Sequence, residues 1–230
     1  MNKVIDMNKG NRNKQKYMKH LLLTVIGLLT LTGLLAQTNN ADAILEKTAR
    51  IYVEWGGMDV KFTAQAPSGG GSGLPEKFDG TIRMKANKFV LTMPDMTTWF
   101  DGTTQWTYWA PNDEVNIVTP SGDDLRILNP MMLLQDYKKD FNVSITGEST
   151  SANAKTAYDI ALIPKKKNNI EKIELQIEKS TSLPVKLVVT MRNNQRNILI
   201  VNEMKAGNPP DDIFSFPKAS YPDAEIIDLR

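Results

Sequence analysis

Side-by-side carboxylates are the first place to look for chemistry, and the chain has two such pairs, Asp123-Asp124 and Asp211-Asp212. Two acids do acid-base work only where their surroundings move their pKa values. Each pair stands beside Gly or Pro in a stretch that reads as a loop, so solvated acids are expected and no catalytic residue. The single His, His20, lies in an N-terminal leader, and there is no Cys. Residues 37–230 therefore cannot build a His- or Cys-ligated metal site, a Ser-His-Asp triad or a thiolate nucleophile. No enzyme, no metal and no cofactor are expected.

The spacing instead points to apolar surface in need of a cover. Residues 99–111 read WFDGTTQWTYWAP and hold three of the four tryptophans around an Asp101-Gly102 turn signal. With a two-residue hairpin turn, Trp99 shares a face with Trp106 and Tyr108, while Met96, Phe100 and Trp109 take the other. Both faces then carry large apolar groups, and a sheet with one core needs them on one side only. The second side calls for another protein layer or a ligand. Upstream, Met84, Phe89, Leu91 and Met93 add bulky and pliable side chains, and methionine suits surfaces that adapt to varied apolar partners.

The elements that must position these residues are mostly strands. Ile44, Leu45, Thr48, Tyr52 and Trp55 recur at helical spacing, with Asn40 as a cap and Gly56-Gly57 as a stop, which predicts one amphipathic helix over 41–55. Eleven β-type segments follow, at 58–66, 78–86, 88–94, 96–101, 104–109, 114–119, 141–147, 157–163, 170–179, 184–191 and 197–206. Short turn-like separators join them, which reads as one antiparallel meander. The loop PSGGGSG at 67–73 lacks the Gly-Lys-Ser/Thr ending and the following helix of a phosphate cradle, so it reads as a hairpin tip. One break interrupts the β rhythm. Asn129 caps a short helix with Pro130 at its first position, and Met131, Met132, Leu133 and Leu134 follow in a row. Such a helix, about 130–137, must be covered or must cover something.

Ahead of these elements, Lys14, Lys16, Lys19 and His20 precede an apolar run from Leu21 to Ala36, the pattern of a secretory signal peptide. The expected cut is before Gln37, with residues 1–17 a possible start-site artefact and an uncleaved anchor the alternative. No Cys follows the run to carry a lipid. Removing residues 1–36 takes six of the 28 bases and one of the 26 acids, which leaves 22 against 25 and a balance of −3. A slightly acidic chain has no electrostatic footprint for nucleic acid. The remaining 194 residues are enough for one well-buried domain.

The order of several short motifs resembles the periplasmic lipoprotein carrier family, LolA. Gly80, Ile82 and Lys85 resemble its Gly-x-Ile/Leu-x-x-Lys start, and Asn87 with Phe89 its Asn-x-Phe. A turn at Phe100-Asp101-Gly102 precedes Trp106, Tyr108 and Pro111, similar to the family's Trp-x-Tyr-x-Pro. Asn129, Pro130, Met132 and Leu133 resemble its lid helix, and Phe214-Ser215-Phe216-Pro217 its C-terminal Phe-x-Phe-Pro-like strand. The resemblance covers most of residues 37–230. It implies a mainly β (α+β) fold: an unclosed antiparallel half-barrel of about eleven strands, with an N-terminal helix and a short helical lid over a hydrophobic cavity.

The resemblance further implies a monomeric periplasmic carrier for acylated lipoproteins. Its partners would be an inner-membrane ABC lipoprotein-release transporter as donor and an outer-membrane acceptor. The candidate lipid-binding residues are Met84, Phe89, Leu91, Met93, Trp99, Trp106, Tyr108, Met131, Met132, Leu133 and Leu134. Lys165, Lys166 and Lys167, on a hairpin tip, are candidates for docking an acidic partner surface. Family members with a latch place an Arg in Lys-Arg-Pro-Asn. Here the run is Lys85-Ala86-Asn87, with neither Arg nor Pro. A related half-barrel that binds another lipid or senses lipoproteins, and an adaptor filled by a partner's helix, are the alternative readings.

Overall fold

The computed structural model describes residues 40–66, 76–120, 134 and 137–230. The leader, the loop 67–73, the pair Asp123-Asp124 and most of the expected lid helix, with Met131, Met132 and Leu133, lie outside the described residues.

Helix α1 runs over residues 40–55. Ala41, Leu45, Thr48 and Tyr52 fall on one stripe and are all buried, whereas Val53 on the far side is 70% exposed. Gly56 ends the helix at φ +68°, donating its N–H to the carbonyls of Tyr52 and Val53, a left-handed cap that suits glycine. The Thr48 hydroxyl donates to the Ser182 carbonyl at 2.8 Å and so fixes the helix to a distant turn.

Twelve strands make one sheet: β1 (Gly57–Ala66), β2 (Glu76–Lys85), β3 (Lys88–Met93), β4 (Met96–Phe100), β5 (Gln105–Trp109), β6 (Glu114–Val118), β7 (Phe141–Thr150), β8 (Thr156–Pro164), β9 (Ile170–Glu178), β10 (Pro184–Met191), β11 (Arg196–Ala206) and β12 (Glu225–Asp228). Their order is β12-β6-β5-β4-β3-β2-β1-β11-β10-β9-β8-β7. The sheet does not close on itself, so the expected unclosed, mainly β architecture is found. The single meander is corrected: two meanders, β1–β6 and β7–β11, meet where β1 pairs with β11. Within a meander each strand pairs with its neighbour in the chain, but β1 has such a neighbour on one side only and takes a strand some 140 positions away on the other.

On the inner face, Met58, Val60, Phe62, Ile82, Met84, Leu91, Leu175 and Val189 join the buried stripe of α1 in one core. A short helix, α2, is described at residues 137–140. Its Tyr137 hydroxyl donates to Asp42 Oδ1 at 2.8 Å, and Lys138 pairs with Glu46 at 2.6 Å, so the two helices are tied to each other. Burial first, and the Asp42 acceptor second, push the Tyr137 phenol upward in pKa.

The outer face has its own cover, and it comes from the C-terminus. After β11 the chain crosses the outer face of β2 to β5 before β12 pairs in parallel with β6. Asp211 is held by Lys85 at 3.2 Å and Lys88 at 3.0 Å. Phe214 is fully buried, and the rings of Phe216 and Tyr221 stand edge-on to Trp99 at 5.4 and 5.7 Å. The expected C-terminal strand at Phe214–Pro217 is corrected: Asp211–Phe214 is a 3-10 helix, because the chain turns there to bury one ring rather than to extend a ladder.

Two tests follow from this crossing segment. Phe214→Ala should lose about 3–5 kcal/mol, the usual loss for a fully buried ring, measured by urea unfolding. Hydrogen bonds from Lys88 and Lys85 hold the Asp211 carboxyl below its ordinary value of 3.8. A lowered folded pKa stabilises above 3.8 and ceases to do so as the pH falls through the lowered value. Asp211→Asn should therefore be slightly less stable than the parent at neutral pH and should lose that disadvantage as the pH falls below 3.8, as a pH series of unfolding curves would show.

Candidate functional site

Between the inner face of the sheet and α1 lies a cavity of about 390 Å³. Period-2 alternation on several strands builds its wall. β1 gives Val60, Phe62 and Ala64, β2 gives Phe78, Ile82 and Met84, and β3 and β4 give Leu91, Met93 and Met96. Leu187 and Val189 of β10 and Leu199, Val201 and Met204 of β11 complete it, with Tyr52 of α1 above. Gln65 and Lys186 also border the cavity, but alternation from Ala64 and Leu187 assigns their side chains to the outer face. Asn197, directly opposite Val189, is the polar side chain of the inner face at the rim. Burial pushes the Tyr52 phenol upward in pKa and keeps it neutral.

The wall also depends on a missing side chain. Gly80 lies directly opposite Phe62, and a Cβ placed on it would come within 2.4 Å of the Phe62 ring. The bare backbone lets that ring lie flat across β2. The cavity is more exposed at one end: Val60, Phe62 and Met84 are buried, whereas Ala64, Ala66 and Phe78 are half-buried and Asn197 is exposed.

Of the residues expected to bind lipid, Met84, Leu91 and Met93 line this cavity. Phe89 lies wholly within the core, 5.5 Å from Phe100, and does not reach it. Leu134 is buried in the same core. Trp99, Trp106 and Tyr108 do share a face, as expected, although the turn centres on Gly102-Thr103 rather than on Asp101-Gly102, so that Trp99 pairs with Trp106 rather than Thr104 and Thr97 pairs with Tyr108. That face is the outer one. Trp99 is packed under the C-terminal segment, and Tyr108 meets Tyr221 at 4.4 Å, so none of the three lines this cavity. The layer that the second face required is the chain's own tail, and the sequence alone left open which face it would cover.

The sequence reading missed Val60, Phe62, Ala64, Leu187, Val189, Leu199 and Val201. Their signal was present as plain alternation, Val-Lys-Phe-Thr-Ala in β1 and Leu-Ile-Val in β11, which is also what any one-sided strand shows. Lys165, Lys166 and Lys167 are exposed in the β8–β9 connection, and the Lys165 ammonium donates to the Lys138 carbonyl of α2.

A buried carboxylate, Glu178, lies away from the cavity wall and is satisfied by Lys155 at 3.1 Å and by Ser180. Burial acts against its charge, yet the donors outweigh that and hold its pKa below the usual value. Among the described residues no group of His, Cys, Asp and Glu is placed to hold a metal ion.

An open half-barrel with an apolar cavity on its inner face is a binding domain of the transport or adaptor kind. The chain belongs to the family described as outer membrane lipoprotein carrier protein LolA, whose model matches residues 31–195. It is a periplasmic domain of that family, and no helix among the described residues is long and apolar enough to cross a membrane.

The fold is similar to that of a conserved protein from Thermus thermophilus. The two are 15% identical with a TM-score of 0.56, and the match covers 82% of this chain and 99% of that one. A LolA superfamily protein from Nitrosomonas europaea is 14% identical, with 76% and 97% covered and a TM-score of 0.43. The MucA/MucB complex of Pseudomonas aeruginosa is matched at 14% identity, over 77% of this chain and 61% of that one, with a TM-score of 0.41. No curated protein matches the chain.

The contact at Gly80 makes a test of the wall. Gly80→Ala should push the Phe62 ring out of place, with a loss of about 1–3 kcal/mol as for other overpacked sites, which urea unfolding measures.

Proposed function

We propose that this domain takes the acyl part of a lipid or of a lipidated protein into the inner-face cavity and shields it from water in the periplasm. The observation that carries the reading is the cavity itself, about 390 Å³ with an almost wholly apolar wall. That volume falls in the range of ligand sites, roughly 300–1,000 Å³. A wall whose polar inner-face groups are only Asn197 at the rim and the Tyr52 phenol binds chains chiefly by burial, at about 0.8 kcal/mol per methylene. It releases them to any site that buries them better.

Two forms of this reading differ in what happens next. In the carrier form the domain receives lipoproteins from an inner-membrane ABC transporter and delivers them to an outer-membrane acceptor. A chain of about 15 methylenes holds its membrane with about 12 kcal/mol, so extraction needs an energised donor. Lys166 and Lys167 would then dock an acidic surface of that partner.

In the second form the domain senses a lipid or lipoprotein, or adapts it to another protein. The β2–β3 turn favours this form. Ala86 stands where latched members of the family have Arg, in a left-handed turn at φ +52°. Arg83 is no substitute, because it faces outward toward Asp59 at 3.7 Å. No cation on this turn is placed to tie the inner-face helices to β2.

Titration of the purified protein with a triacylated lipopeptide, and with the same peptide lacking its acyl chains, tests the shared reading. Calorimetry should show saturable binding of the acylated peptide alone. Leu199→Glu, which puts a charge on the half-buried wall, should weaken that binding at least tenfold in a protein that keeps its far-ultraviolet dichroism. Equal binding of both peptides would refute acyl recognition.

A further inference from the structure

We infer that the outer face carries a second binding site, a groove for a short uncharged glycan, separate from the inner-face cavity and independent of the acyl-binding reading. The groove lies between β2–β4 and the crossing C-terminal segment, with a volume of about 600 Å³. Two rows of directly opposed residues make its floor. Arg83, Val90 and Trp99 form one, and Thr81, Thr92 and Thr97 the other. Neighbouring strands lie about 4.8 Å apart, so the second row is a ladder of threonine side chains at that repeat. Exposure falls along the floor, from Thr81, Arg83 and Thr92 through the half-buried Val90 and Thr97 to the buried Trp99.

The opposite wall comes from the tail, as Asp212, Ile213, Ser215, Pro217 and Tyr221. It is anchored on both sides of these residues and between them. Lys85 and Lys88 hold Asp211, Phe214 is fully buried, and Phe216 and Tyr221 pack on Trp99. The groove is therefore formed before a ligand arrives, which lowers the cost of binding.

Its polar groups have no work inside the protein. Among the described residues, the hydroxyls of Thr81, Thr92, Thr97 and Ser215 make no hydrogen bond to another protein group, and Asp212 makes no ion pair. Arg83 meets Asp59 through Nε alone, at 3.7 Å. These groups select among ligands. An acyl chain laid on the threonine row would bury hydroxyls without partners, at a cost for each. An extended peptide finds no free ladder to join, because β2, β3 and β4 each pair on both sides. One Arg and one Asp leave no net charge to attract a polyanion.

A sugar ring suits all of these groups. Its hydroxyls both donate and accept, as those of Thr and Ser do. The Arg83 guanidinium and the Asp212 carboxylate add a strong donor and a strong acceptor. The apolar C–H faces of the ring match Val90, Ile213, Pro217 and the Tyr221 ring.

The test is calorimetric titration of the purified protein with two uncharged tetrasaccharides, cellotetraose and chitotetraose. At least one should bind saturably, with a dissociation constant of about 1 mM or tighter. The double variant Thr92→Val with Thr97→Val keeps the side-chain shapes and removes two hydroxyls, so it should bind that sugar about tenfold more weakly. Ser215→Trp, at an exposed position of the wall, should block the groove and abolish binding. Both variants should give the parent's titration with the acylated lipopeptide, because neither alters the inner-face cavity. Failure of both sugars to bind the parent, or unchanged sugar binding in the folded variants, would overturn the glycan site and leave the acyl-binding reading untouched. Failure of the lipopeptide alone would overturn that reading and leave the glycan site standing.

Discussion

The constraint on which the structure depends is one of area. An open sheet of twelve strands presents two faces to be covered, and among the described residues there is little helix to cover them with. Residues 40–55 lay one amphipathic stripe on the inner face, fixed by Thr48 to Ser182 and by Asp42 to Tyr137. The outer face of β2 to β5 receives only the crossing segment that carries Phe214, Phe216 and Tyr221. Beneath α1 the described inner face keeps an apolar cavity of about 390 Å³.

Much of the fold was legible in the sequence, and the reasons are local. Eleven strands were readable because turn residues separate them and alternation marks them, as in Lys172, Glu174, Gln176 and Glu178 against Ile173, Leu175 and Ile177. The helix was readable from its spacing and from Gly56. β12 was not, because a four-residue parallel strand has neither a hairpin turn beside it nor a length that shows a period. The β1·β11 junction was equally hidden, since nothing local in either strand names a distant partner.

The site was legible in a weaker sense. The grouping of Trp99, Trp106 and Tyr108 on one face could be derived, because alternation fixes which residues go together. Which face that was could not be derived. Both faces of the β4–β5 hairpin are apolar, and the tie is broken by Phe216 and Tyr221, over a hundred positions downstream. Residues with the simplest pattern, Val60, Phe62 and Ala64, turned out to be the cavity wall, and the conspicuous aromatics became the core of the other side.

The pairing of β1 with β11 also sets the order in which the molecule can assemble. The β1–β6 meander is complete by residue 118, yet its first strand keeps an open edge until residue 206 has been made. Pairings between segments so far apart form slowly, because a long loop must close before any contact rewards it. Until then the wall of the cavity is split along its middle and its apolar residues face water. A nascent chain of this kind spends that interval as two sticky half-sheets, and its need for protection from aggregation is greatest before it is able to hold a lipid at all.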